Sequence, residues 1–186
     1  MYEIGYITIP LYNPTSYAFS DDDQKAEMLQ LAQSAADSVN AAEPETVSDQ
    51  FSALHSAALN ALPDIYAVLG ASFESDDADV QHELLTGSDV DAAFTQDGAA
   101  DTLRSLAYGE AAAVQTNSYS MILMVRVDPL SVSSLDDLRD QILSDMKGEE
   151  LDDALAARGA QLTHELNDSA MNKLPASKIV NSSSNS

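Results

Sequence analysis

Residues 120–127 read SMILMVRV, and the unbroken apolar run inside it, Met121 to Val125, constrains the fold more than any other feature of the chain. Five residues fall far short of the roughly 20 that a membrane span needs, so the run reads as a strand of a folded core. Ala111 to Thr116 has the same strand character, and Asn117-Ser118-Tyr119 supplies the turn between the two, which predicts a hairpin. Tyr108-Gly109-Glu110 is a turn before it and Asp128-Pro129 ends it. At the other end of the chain, Tyr2 to Ile9 alternates as a strand should, with Ile7 and Ile9 on one face and Tyr6 and Thr8 on the other. Pro10 ends that ladder because it has no N–H to donate.

The segment between these strands is mostly helical. Ser20, followed by three aspartates with Asp23 at the third position, predicts a capped helix start, and Leu29, Ala32, Ala36 and Val39 form its apolar stripe. A break at Glu43-Pro44-Glu45 precedes a second helix, capped near Ser48 and expected to stop at Pro63. A short third helix over 65–73, a short strand over Val80 to Thr86 and a helical piece from Ala99 to Leu106 follow. Ser134 opens a helix carrying Leu135, Leu138, Ile142 and Met146, and a further helical piece from Glu149 is expected to end at Gly159. Leu162 to Leu166 reads as a short strand, and 181–186 as a disordered tail.

The 186 residues suffice for one domain of ordinary size with an appendage. No cysteine is present, which excludes disulfides, thiolate nucleophiles and sulfur-ligated zinc. Eight Lys and Arg against 31 Asp and Glu leave a formal net charge of −23, which repels phosphate backbones and argues against a nucleic-acid partner. No segment suited to membrane insertion and no targeting segment is visible. His55, His82 and His164 do not fall at metal-ligand spacing, and Asp76-Asp77-Ala78-Asp79 lacks the calcium-loop pattern, so neither a metal nor another cofactor is expected. Gly-rich phosphate loops and nucleophile elbows are likewise missing.

Gly109-Glu110, the strand after it and Thr116-Asn117-Ser118-Tyr119-Ser120-Met121-Ile122-Leu123 resemble the closing segment of parvulin-type peptidyl-prolyl isomerases. Tyr6-Ile7-Thr8-Ile9 occupies the place of the family's first strand. More narrowly, the order of elements and the tail with LDDLRDQILSDMKGEELDDAL are similar to the PrsA-like (SurA-like) foldases that bacteria export. The resemblance implies an α+β, parvulin-like (FKBP-like) fold: an antiparallel sheet of about four strands with helices packed around it, then a mainly helical C-terminal extension. On that basis 1–128 form the domain, 129–180 the extension and 181–186 the tail. It further implies unfolded, proline-containing polypeptide clients, an extracytoplasmic place at the surface of a Gram-positive cell, and a chaperone domain upstream in a longer parent protein.

The family's polar floor consists of two histidines and a Thr and Ser of the hairpin. Position by position, Thr116 and Ser118 match the Thr and Ser, whereas Tyr6 and Met121 stand where the histidines would be, and Tyr119 stands at the family's Gly. Phe94 is the aromatic available for the proline pocket. Tyr6 can replace one imidazole hydrogen bond through its hydroxyl, but the Met121 thioether is only a weak acceptor. Weak or lost isomerase activity is the expectation, with a purely binding chaperone on the same fold as the alternative. Thr116 and Ser118 equally fit ordinary turn roles, Tyr6 an inward-packing aromatic and Met121 core filler. The site requires the first and last strands to lie side by side at the centre of one sheet. It also requires Tyr6, Met121, Thr116 and Ser118 to meet in one concave pocket.

Overall fold

The computed structural model describes residues 1–161. Four strands, β1 (Tyr2–Pro10), β2 (Gln81–Leu85), β3 (Ala111–Gln115) and β4 (Ser120–Val127), form one antiparallel sheet in the order β2-β1-β4-β3. The first and last strands are thus its two central members, with Glu3 opposite Val127 and Pro10 opposite Ser120 at the ends of their shared ladder. The protein is an α+β molecule with helices on both faces of this sheet.

Strand periodicity divides the core. Ile7 and Ile9 of β1 and Met121, Leu123, Val125 and Val127 of β4 point to one side, where α1 (Asp22–Ala41) and α2 (Val47–Val68) cover them. Each such aliphatic side chain contributes about 1.5–3 kcal/mol by leaving water. Ile4, Ile122 and Met124 point to the opposite side, against α3 (Gly87–Ala93) and α4 (Ala99–Ser105). The first pair of helices has 20 and 22 residues and seals its face, while the second has seven each and leaves part of the sheet uncovered.

The helix ends follow from local chemistry. α1 is capped by Asp21 rather than Ser20: Asp21 accepts the Gln24 N–H at 2.9 Å and Gln24 reaches back to the Asp21 N–H. Ser20 is buried instead, with its hydroxyl 3.8 Å from Met28 Sδ. α2 is capped by Thr46 and does not stop at Pro63. The proline costs one internal bond, but Ile65, Tyr66 and Leu69 beyond it reach the core, and that burial carries the helix on. The helix expected separately over 65–73 is therefore largely the end of α2.

Exposed sheet edges are a liability, and β3 is covered by α1. Asn40 donates to the Ala111 carbonyl at 3.0 Å and accepts its N–H at 2.7 Å, and Gln33 accepts the Ala113 N–H at 3.3 Å. Arg126 of β4 closes the far end. Its guanidinium donates to the Leu106 and Arg104 carbonyls at 2.5 and 3.2 Å, between the rings of Tyr2 and Tyr108.

Gly5 marks a close approach. A Cβ there would run into the edge of the Phe51 ring, 2.7 Å from Cδ1. Gly5→Ala is therefore expected to lower stability in urea by about 1–3 kcal/mol, the usual cost of overpacking. Phe51→Leu in the same chain should recover much of that loss, and additive losses would show that the ring is not what Gly5 accommodates.

The chain divides into two compact units, Met1–Asp145 and Met146–Ser186. α5 (Leu135–Gln161) starts at Ser134, whose hydroxyl and carbonyl accept the Asp137 and Leu138 N–H groups. It continues through Gly148, so the two helical pieces expected there are one helix. In the described part of the second unit, residues 151–158 are all exposed. The strand expected over 162–166 and the tail of 181–186 lie outside the described residues.

Candidate functional site

The uncovered part of the sheet is an open cleft of about 710 Å³ between β1, β2, β4, α3 and the β3–β4 turn. Ile4, Leu85 and Ile122 form its apolar floor, Phe94 and Ala93 one wall, and Tyr6 and Glu83 the polar side. The Tyr6 hydroxyl donates to the Glu83 carboxylate at 3.3 Å. Burial, and then the charge of Glu83, raise the Tyr6 phenol above its ordinary range, so it is a protonated donor at neutral pH.

Thr116 lines this cleft, buried at the point where β3 gives way to the turn. Its hydroxyl makes contacts of 3.1 Å to the Ser120 carbonyl and 3.0 Å to the Ser120 hydroxyl. Its own carbonyl accepts the Gln96 N–H at 3.0 Å and the Thr95 hydroxyl at 3.5 Å. Thr116 therefore ties the hairpin to the loop that carries Phe94. Phe94 ends α3 with its N–H on the Val90 carbonyl, and it lines the cleft although the ring is largely buried among Val90, Leu103 and Ile122.

Two of the expected site residues do not join this group. Met121 is fully buried on the α1–α2 side of the sheet with Ile7, Ile9 and Leu123. Neighbouring residues of a strand face opposite ways, so it is Ile122 that meets the cleft. Ser118 is exposed at the tip of the turn and does not line the cleft. Ser120 takes the hydroxyl partnership with Thr116, and Asn117 Oδ1 accepts the Tyr119 and Ser120 N–H groups at 2.8 and 3.1 Å, which sets the turn. The structure thus gathers Tyr6, Thr116 and Phe94 and leaves Met121 and Ser118 outside.

The histidines stand elsewhere. His55 Nδ1 is 2.8 Å from the Ala78 carbonyl and pins α2 to the turn at Ser75–Ala78. His82 is on the α1–α2 side of β2, where Nε2 contacts Oε1 of the buried Glu3, an ion pair when the imidazole is protonated, without the alignment of a hydrogen bond. His164 lies outside the described residues. Asp77 of the acidic run accepts the Glu74 N–H at 3.0 Å. Among the described residues, no group of three or more His, Asp and Glu is placed to hold a metal ion.

Sequence reasoning missed Ile4, Glu83, Leu85, Ile122 and Tyr119 as cleft residues. Ile4 was accessible from alternation, since it lies two residues from Tyr6. Glu83 and Leu85 require the pairing of β2 with β1, which places Glu83 opposite Ile4. Compared with known proteins, the chain matches no family model, no curated protein and no solved structure.

Proposed function

We propose that the protein is a parvulin-like foldase module that holds proline-containing segments of unfolded, exported polypeptides in the cleft, with prolyl isomerisation weak or lost. The observation that carries this reading is an open, apolar-floored cleft on the two central strands with a phenol donor at its side and no imidazole among its lining residues. Apolar walls suit a proline ring, and the single Tyr6 O–H can serve a carbonyl of the bound chain by turning away from Glu83.

Turnover demands more. Rotation about an X–Pro bond crosses a barrier of about 18–20 kcal/mol, and a catalyst must bind the twisted amide better than either planar form. Thr116 has its hydroxyl engaged within the turn, and Met121 faces the other layer. The polar groups left for the twisted amide are few, which favours holding over catalysis.

A four-residue proline peptide should isomerise within about threefold of its uncatalysed rate, which takes tens of seconds, while its binding perturbs the NMR signals of Tyr6, Ile122 and Phe94. Ala93→Trp, at an exposed position on the cleft wall, should weaken that binding about tenfold with an unchanged melting temperature. Strong acceleration of isomerisation would replace the holding form by a catalytic one. Failure of the peptide to bind at all would remove the reading.

A further inference from the structure

Tyr119 belongs to two features at once. It lines the cleft, and its ring packs edge-on against Phe19 with centroids 5.7 Å apart. Phe19 lies 5.9 Å from Tyr12, and Tyr12 stacks on Tyr17 at 6.4 Å with ring planes 15° apart. Four aromatic rings are therefore linked by successive contacts into a row that begins with Tyr119 at the cleft. Tyr17, Phe19 and Tyr119 are 74%, 59% and 61% exposed and Tyr12 is half-buried, so three of the four rings face solvent instead of filling a core.

The backbone beneath is built to hold this row. The Leu11 N–H donates to the Tyr119 carbonyl at 2.8 Å, joining the loop after β1 to the β3–β4 turn. Asn13 fixes the loop from both ends of its amide: Oδ1 accepts the Thr15 and Ser16 N–H groups, and Nδ2 donates to the Leu69 and Gly70 carbonyls. Tyr17 has φ of 57°, a left-handed conformation that bulky side chains avoid. A glycine would occupy that position without strain, so the aromatic is kept there against a backbone preference.

We propose that this row is a second subsite, for the stretch of unfolded polypeptide that continues from the residue lodged in the cleft. The inference rests on the peptide-binding reading of the cleft and adds to it the length and chemistry of the client. Three ring-to-ring steps accommodate at most about five residues of extended chain at ~3.3 Å each. Exposed, preorganised aromatic faces suit proline rings and aromatic side chains in an extended segment. Asp21, Asp22 and Asp23 begin two residues after Phe19, and Glu83 and Asp89 border the cleft, within a chain of net charge −23. The preferred client is therefore a segment of about ten residues that carries a proline for the cleft, a second proline or an aromatic residue for the row, and Lys or Arg between them.

The test uses the whole chain and two probes: a proline tetrapeptide, and a dodecapeptide with two prolines, one phenylalanine and three lysines. The dodecapeptide should bind at least about tenfold more tightly, and Tyr17→Ala and Phe19→Ala should each weaken it about fivefold while leaving the tetrapeptide unchanged. Tyr17→Gly separates binding from folding, because it should hold or raise the melting temperature while still weakening the dodecapeptide. Changing the three lysines to glutamate should abolish the gain over the tetrapeptide. Dodecapeptide affinity unaffected by the ring variants overturns the subsite and leaves the cleft reading intact. Dodecapeptide binding that depends on the rings while the tetrapeptide does not bind supports the subsite and removes the cleft reading. Binding of neither peptide overturns both, and chitohexaose perturbing the four rings where the dodecapeptide does not would overturn the polypeptide assignment.

Discussion

Measured where the imidazole is protonated, the variant His82→Ala is expected to lose about 3 kcal/mol of stability in urea, most of it through Glu3. The Glu3 side chain is 2% exposed, on a central strand, and its contact with His82 is an ion pair when the imidazole is protonated. An exposed pair would be worth under about 1 kcal/mol. Here the larger quantity is the carboxylate left behind without a partner, because a buried charged group without compensation costs its full desolvation. The 40% exposure of the imidazole keeps the expected loss at the low end of the range for buried pairs. Glu3→Leu in the His82→Ala chain should restore at least half of the loss, since two apolar replacements leave nothing stranded. A loss below about 1 kcal/mol in the single variant would show that the carboxylate finds another partner or water.

The second large effect concerns catalysis. Tyr6→His with Met121→His places imidazoles at the two positions where the parvulin resemblance expects them, yet it should add no isomerase activity and should cost about 2–4 kcal/mol of stability. Met121 is fully enclosed between the sheet and α1–α2, so an imidazole there is buried away from both water and the cleft. Tyr6→His with Ile122→His is the matched comparison, because both side chains then stand on the cleft side of the sheet. Proline-peptide isomerisation and urea unfolding measured side by side check this. A Tyr6/Met121 double variant that keeps its stability, or that speeds isomerisation, contradicts the assignment of faces.

The contrast between Met121 and Ile122 explains what the sequence could and could not convey. The strands of the hairpin and β1 were legible because Pro10, Asn117 and Asp128-Pro129 punctuate apolar runs. The face of each residue in SMILMVRV was not legible, since five consecutive apolar residues carry no alternation, and the pairing with β1 decides which side each one takes. Thr116 was found by its place before the turn, but its tie to the Phe94 loop depends on a contact 20 residues away in sequence. The expected break at Pro63 failed for a different reason. A local penalty was outweighed by apolar residues downstream that only the folded core reveals. The aromatic row escaped notice because Tyr12, Tyr17 and Phe19 lie in a loop with no periodic pattern, and Tyr119 joins them only through the ladder between β1 and β4.

The central placement of β1 bears on how such a chain is made. During synthesis its first nine-residue strand leaves the ribosome long before either neighbour, and the partner at 120–127 follows only after about 6–25 s at ~5–20 residues per second. Until residues 81–85 emerge the hydrophobic residues of β1 have no ladder to join, and both pairings of β1 close by contacts far apart in sequence, which is the slow kind of topology. A nascent chain released before Val127 would lack the strand that joins β1 to β3, so this molecule is itself exposed, early in its life, to the hazards of an unfolded polypeptide.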